Sequence, residues 1–188
     1  MTVLSQNKQR YEKLTGSNNQ YMTSKNPKIP DLNRKVMTNP VHFLAFGFGS
    51  GLAPFAPGTF GTLMAIPLYL LLQTQSLPIY LAILAVVCVV GVWICDKSSA
   101  LLGVHDHSGI VWDEFAGFFV TMIAAPAGWL WIVIGFALFR LFDIWKPWPI
   151  SILDKKVEGG LGIMVDDIVA GIYALVCLQV IYYISTHI

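Results

Sequence analysis

"FAGFFVTMIAAPAGWLWIVIGFALF", residues 115–139, runs for twenty-five positions without a charge. Read as one helix, it crosses a bilayer once. Read as two short helices turning at Pro126 to Gly128, it enters and returns. The choice decides the fold, because charged groups crowd both flanks. "HDHSGIVWDE" at 105–114 precedes it, and Arg140 and Asp143 follow.

The composition places the whole chain near lipid. Of 188 residues, 55% are hydrophobic and only 12% charged, whereas a soluble domain carries about 25% charged residues. The first 38 residues differ from the rest. They hold seven Lys and Arg against Glu12 and Asp31, and they contain no apolar signal-peptide core. Residues 1–38 therefore read as a disordered basic tail on the cytoplasmic side, and 39–188 as a membrane-embedded domain. Cys88, Cys95 and Cys177 sit in or beside apolar runs and form no CxxC pair. Small buried hydrophobes describe them better than metal ligands or a disulfide framework.

All 23 formal charges fall in four blocks, 8–35, 96–114, 140–158 and 166–167. Residues 60–77 and 79–95 read as a helical hairpin turning at the uncharged "QTQSLP", and a last helix is expected to begin near Asp167. Splitting 115–142 into two helices returns every charged block to one face, which the positive-inside bias makes cytoplasmic. The cost is length. The two halves rise only about 18 and 22 Å, short of a hydrocarbon core of about 30 Å. The expected fold is thus all-α, a multi-pass integral membrane helical protein with short or re-entrant helices and its acids gathered at the cytoplasmic side.

Four stretches carry chemistry. "VWDE" at 111–114 sets Asp113 and Glu114 at the start of a helix, where the macrodipole favours negative charge. Helix capping is one reading; metal ligation beside further acids is the preferred one. "FRLFDIWKPWPI" at 139–150 carries Arg140 and Asp143 on one helix face, where they can pair. Arg140 is the one arginine beyond the tail, and it and Lys146 suit a phosphate group as fork and point charge. "GGLGIMVDDIVAG" at 159–171 reads as a flexible glycine turn followed by Asp166 and Asp167. Adjacent helical positions diverge by about 100°, so these two acids cannot play identical roles. "GFGSGLAPFAPGTFGT" at 47–62 offers glycine-turn amides with Ser50, Thr59 and Thr62 for phosphate, or simply a tight turn. It lacks the lysine of a P-loop. His105 and His107 could ligate metal, act as acid or base, or lie in a polar loop.

Together these four stretches resemble the phosphatidylglycerophosphatase A family, integral membrane lipid phosphatases of bacteria, over roughly Asn39 to the C-terminus. The resemblance implies removal of the terminal phosphate from phosphatidylglycerophosphate to give phosphatidylglycerol, with Mg²⁺ required. On that reading Asp113, Glu114, Asp166 and Asp167 form the metal site. The same four acids, with Asp143, His105 and His107, are the catalytic candidates. Arg140, Lys146, Ser50, Thr59 and Thr62 face the substrate phosphate. The partners expected are a membrane phospholipid and the bilayer, with no nucleic acid, in the bacterial cytoplasmic (inner) membrane. Oligomeric state, and direct water attack against an aspartyl-phosphate route, stay open. The rival class is a cation transporter using the same acids, but transporters hold coupling sites near the midplane, whereas these acids lie at the ends of apolar runs.

Overall fold

The computed structural model describes residues 29–104, 106–157 and 159–187. Most of the basic tail, residues 1–28, and His105 lie outside them. The described residues are helical, with no strand among them. In chain order the helices are α1 (Leu32–Thr38), α2 (Pro40–Ala45), α3 (Pro57–Leu72), α4 (Leu77–Leu102), α5 (Trp112–Thr121), α6 (Trp129–Trp145), α7 (Ile150–Lys156) and α8 (Gly159–His187). A 3₁₀ segment over Gly47–Leu52 links α2 to α3.

The stretch 115–139 is split. Thr121 ends α5, and α6 begins at Trp129 behind Gly128, whose φ of 121° few other residues adopt. Pro126 disfavours helical backbone at the residue before it, and Ala124 already stands at φ 52°. Local sterics thus break the chain inside an apolar run that would otherwise propagate as helix.

α8 is the axis of the bundle, and α4, α5, α6 and α7 all pack on it. The tightest crossing is with α5. A Cβ added at Gly171 would strike the Gly117 carbonyl, and one at Gly117 would press on Phe139 and the Asp167 carbonyl. Hydrogen at these two positions lets one backbone lie against the other. The Thr121 hydroxyl marks the same crossing, donating to Gly117 O at 3.0 Å and reaching Gly171 O at 3.4 Å. Phe115, Phe118, Phe119 and Val120 fill the core around it with Ala170, Ala174 and Leu178.

Four sequence expectations are corrected. The last helix begins at Gly159, not near Asp167, so Asp166 and Asp167 lie two turns inside it. The glycines before them are not a flexible turn. Gly160 is pressed against the Val92 carbonyl of α4, its amide donates to Asp96 Oδ1 at 3.2 Å, and Gly162 sits on the Val157 carbonyl. They are small to permit contact, and the capping acid comes from another helix. α4 runs on to Leu102 rather than stopping at 95. Finally, residues 32–38, read as part of a disordered tail, form α1, with Val36 fully buried.

Two helices, α4 and α8, are long and apolar enough to span a bilayer, and α3 is apolar but shorter. α5, with ten residues, rises only about 15 Å. Four apolar helices place an acid-bearing or motif end together: the start of α3, the start of α5, the end of α6 and the first turns of α8.

Candidate functional site

α5 carries Asp113 and Glu114 in its first turn. Neither caps the helix by the usual side-chain bond, since the N-cap residue is Val111. Their carboxylates turn toward Asp167 on α8, and one oxygen from each of the three lies within 4.8 Å of the others. Glu114 and Asp167 are buried, at 8% and 3% exposure. The crossing at Gly117 and Gly171 brings them together, because it fixes α5 against α8 one turn beyond the acids.

Asp143 on α6 also faces Asp167. One guanidinium nitrogen of Arg140, Nη1, joins Asp143 Oδ2 at 2.6 Å and Glu114 Oε1 at 3.3 Å. The i,i+3 pair expected along α6 is therefore present, and the arginine adds a second acid from α5. Gly58, in the first turn of α3, closes this side. A Cβ there would overlap Glu114 Oε1 and approach Arg140 Nη1. Asp166 is not one of the three clustered acids, and its Oδ2 pairs with Lys146 Nζ at 2.6 Å. The divergence of two neighbouring helical positions shows directly, and Asp166 stands outside the three-acid group.

The remaining expected residues are placed differently. The Ser50 hydroxyl donates to Gly47 O at 2.8 Å and Thr62 to Gly58 O at 3.0 Å, both holding local backbone. Thr59 lies beside Gly58 in the first turn of α3 and is half-buried. His107 packs against Phe46, and its Nδ1 accepts the Gly109 amide at 3.0 Å. Burial holds its pKa below the ordinary imidazole value, with Asp106 opposing. This geometry fits a neutral ring that organises the loop ahead of α5. The glycine-rich segment packs on the same loop. Gly51 sits against the Gly109 carbonyl, and Phe48 lies against Trp112 and Phe115.

Can these acids hold a cation? Asp113 Oδ1, Glu114 Oε2 and Asp167 Oδ2 are buried side-chain oxygens without a hydrogen-bond partner. Buried carboxylate oxygens normally find donors, and buried like charges repel. A cluster of hard oxygen donors lacking sulfur and imidazole matches the coordination chemistry of Mg²⁺. The residues therefore fit that ion.

Two contributors escaped the sequence reading. Gly58 was quoted only as part of a turn, although its missing side chain makes room for Glu114. Gln179, the one amide side chain in the uncharged run 168–188, donates to the backbone behind α5; its isolation among apolar residues was the available signal.

Comparison with known proteins adds a family. Residues 43–182 match the family model described as phosphatidylglycerophosphatase A. The chain is 46% identical over 156 residues to the phosphatidylglycerophosphatase A of Escherichia coli (strain K12), covering 82% of this chain and 89% of that protein. It is 47% identical over 164 residues to the one from Haemophilus influenzae, covering 86% and 98%. No solved structure matches the chain.

The Arg140 geometry yields a stability test. Arg140→Ala leaves Glu114 and Asp143 facing each other without the shared cation, at an expected cost of about 3–5 kcal/mol. Arg140→Lys keeps the charge and should lose less. Denaturant unfolding of the detergent-solubilised variants measures both. Wild-type stability in Arg140→Ala would show that the arginine does not hold these acids together.

Proposed function

The chain belongs to the phosphatidylglycerophosphatase A family, and we propose that it hydrolyses the terminal phosphomonoester of phosphatidylglycerophosphate, releasing phosphatidylglycerol and inorganic phosphate. The observation that carries the reading is the convergence of Asp113, Glu114 and Asp167 beside Arg140, with buried carboxylate oxygens unpartnered. A cation transporter finds no support in the relatives.

Asp113, Glu114 and Asp167 would hold Mg²⁺, with Asp143 alongside. The bound ion supplies positive charge for the phosphoryl oxygens and a more acidic water. The chain's own groups do the rest. Arg140, anchored by two acids, is oriented before the substrate arrives, and its Nε is buried and uncommitted. Lys146, 29% exposed and paired with Asp166, stands at the rim where a headgroup would enter. Thr59 and the first turn of α3 lie beside Glu114 and complete the phosphate side. Hydrolysis joins a water oxygen to phosphorus and breaks the bond to the glycerol oxygen, which leaves with a proton. Electrostatic stabilisation and positioning account for most of the catalysis in such transfers.

We further propose a multi-pass arrangement in the bacterial cytoplasmic membrane with the acids toward the cytoplasm. Supporting it, the start of α3, the start of α5, the end of α6 and the first turns of α8 meet at the acids, and residues 115–139 and 168–188 between and beyond the charged blocks carry no charge. The acyl chains then stay in the bilayer while the phosphate reaches acids at headgroup height.

Phosphate release by the purified protein from phosphatidylglycerophosphate tests the chemistry. Release should require Mg²⁺, stop with a chelator, and fall at least about a hundredfold in Asp113→Ala and Asp167→Ala. Undiminished turnover in both variants would reduce these acids to structural groups. Orientation is tested separately by single cysteines at Thr74 and Ser185. An impermeant thiol reagent should reach them from the periplasmic face, and labelling from the cytoplasmic face contradicts the topology.

A further inference from the structure

α5 brings Asp113 and Glu114 to the site, yet it is only ten residues long and ends about 15 Å from where it starts. In a hydrocarbon core of about 30 Å, its far end lies near mid-depth. The chain there must turn through residues 122–128 without help from water. Non-helical backbone at that depth is tolerated only where protein satisfies its polar groups. Two devices close the turn. Ile123 and Ala125 donate their amides back to Val120 O and Met122 O at 3.2 Å each. Gln179 on α8 then donates its side-chain amide to Ile123 O and Ala124 O, both at 3.1 Å. An amide nitrogen carries two hydrogens, so each carbonyl receives its own. The second bond meets Ala124 where the backbone is left-handed, at φ 52°, a conformation that a non-glycine residue holds only when its surroundings enforce it.

Gln179 shares α8 with Asp167, about 18 Å further along the helix. α5 is therefore held to α8 at the crossing of Gly117 and Gly171 and, through the turn that follows it, at Gln179. At the near end the three acids face one another without a tie of their own, and a bound cation would join them. With the crossing as pivot, release at the far end lets α5 tilt, and tilt changes the spacing of Asp113 and Glu114 from Asp167. We propose that Gln179 is a positioning residue for the reaction, holding the carboxylates of α5 at the separation from Asp167 that a divalent cation requires. The inference rests on the reading of those three acids as a cation site.

Gln179→Leu keeps most of the volume and removes both donors. Binding of Mn²⁺ to the purified protein, followed by electron paramagnetic resonance without substrate, reads the site independently of turnover. Mn²⁺ affinity is expected to fall about tenfold, as for outer-shell changes at metal sites. At saturating metal, kcat should fall about tenfold or more through misplacement, while KM for the lipid stays near wild type. A merely structural role would lower the unfolding temperature and yield, leaving the folded fraction with wild-type Mn²⁺ affinity and kcat; that result overturns the proposal. Should Gln179→Leu fail to fold, Gln179→Asn replaces it. Its amide is one methylene too short for both carbonyls, so an intermediate loss in binding and kcat is expected, and wild-type values again overturn the proposal. Asp167→Asn, measured alongside, separates the two levels. Lost Mn²⁺ binding there, with normal binding in Gln179→Leu, refutes the role of Gln179 alone. Unchanged binding in Asp167→Asn removes the cation site on which it rests.

Discussion

The backbone of α5 lies directly against the backbone of α8 at Gly117 and Gly171, and the rest of the structure depends on that approach. Apolar burial cannot draw helices together in lipid, where the tails are as apolar as the side chains. Close packing of small residues is what remains. Here the approach has a chemical consequence. It forces three carboxylates from two helices into one small volume, an arrangement that mutual repulsion would otherwise open. The packing thus holds an electrostatically unfavourable cluster in place, and the cluster is where function would reside.

Arg140 offsets part of that cost. Its Nη1 contacts acids on two helices, while Lys146 takes up Asp166 at the edge. Five carboxylates, from Asp113, Glu114, Asp143, Asp166 and Asp167, then face two cations. Fully ionised, the five acids exceed these two cations by three charges, and a divalent ion would offset two of them. In that setting Arg140 does two things. It offsets the repulsion between Glu114 and Asp143, and in the proposed reaction it would engage the substrate phosphate.

Much of this was legible in the amino-acid sequence, and the failures have physical causes. Confinement of charge to four blocks indicated helices that return to one face, and Pro126 with Gly128 marked the break that the structure shows. The geometry of adjacent helical positions indicated different roles for Asp166 and Asp167, but not which of the two would pair with Lys146. The pairing of Arg140 with Asp143 followed from a spacing of three. What sequence could not show is contact between distant segments. Glu114 meets Arg140 only because α5 and α6 fold back on one another, and Gly58 matters only because Glu114 lies over it. The glycines at 159–162 misled for the same reason. A glycine chosen for close packing and one chosen for a turn look alike in sequence, and only the Val92 and Val157 carbonyls distinguish them.

On the proposed reading, packing keeps the acids together against their own repulsion so that they would bind a divalent cation. Thermal unfolding of wild type and Asp167→Asn, with excess chelator and again with Mg²⁺, tests it most directly. A ligand that binds only the folded state stabilises it in proportion to the logarithm of its concentration, and neutralising one of three clustered acids relieves repulsion when no cation is present. Asp167→Asn should therefore melt above wild type in chelator, and Mg²⁺ should raise the wild type while leaving the variant nearly unmoved. A variant that melts below wild type in chelator, with no response to Mg²⁺ in either protein, would show that Asp167 is a structural group and the cluster is not a cation site.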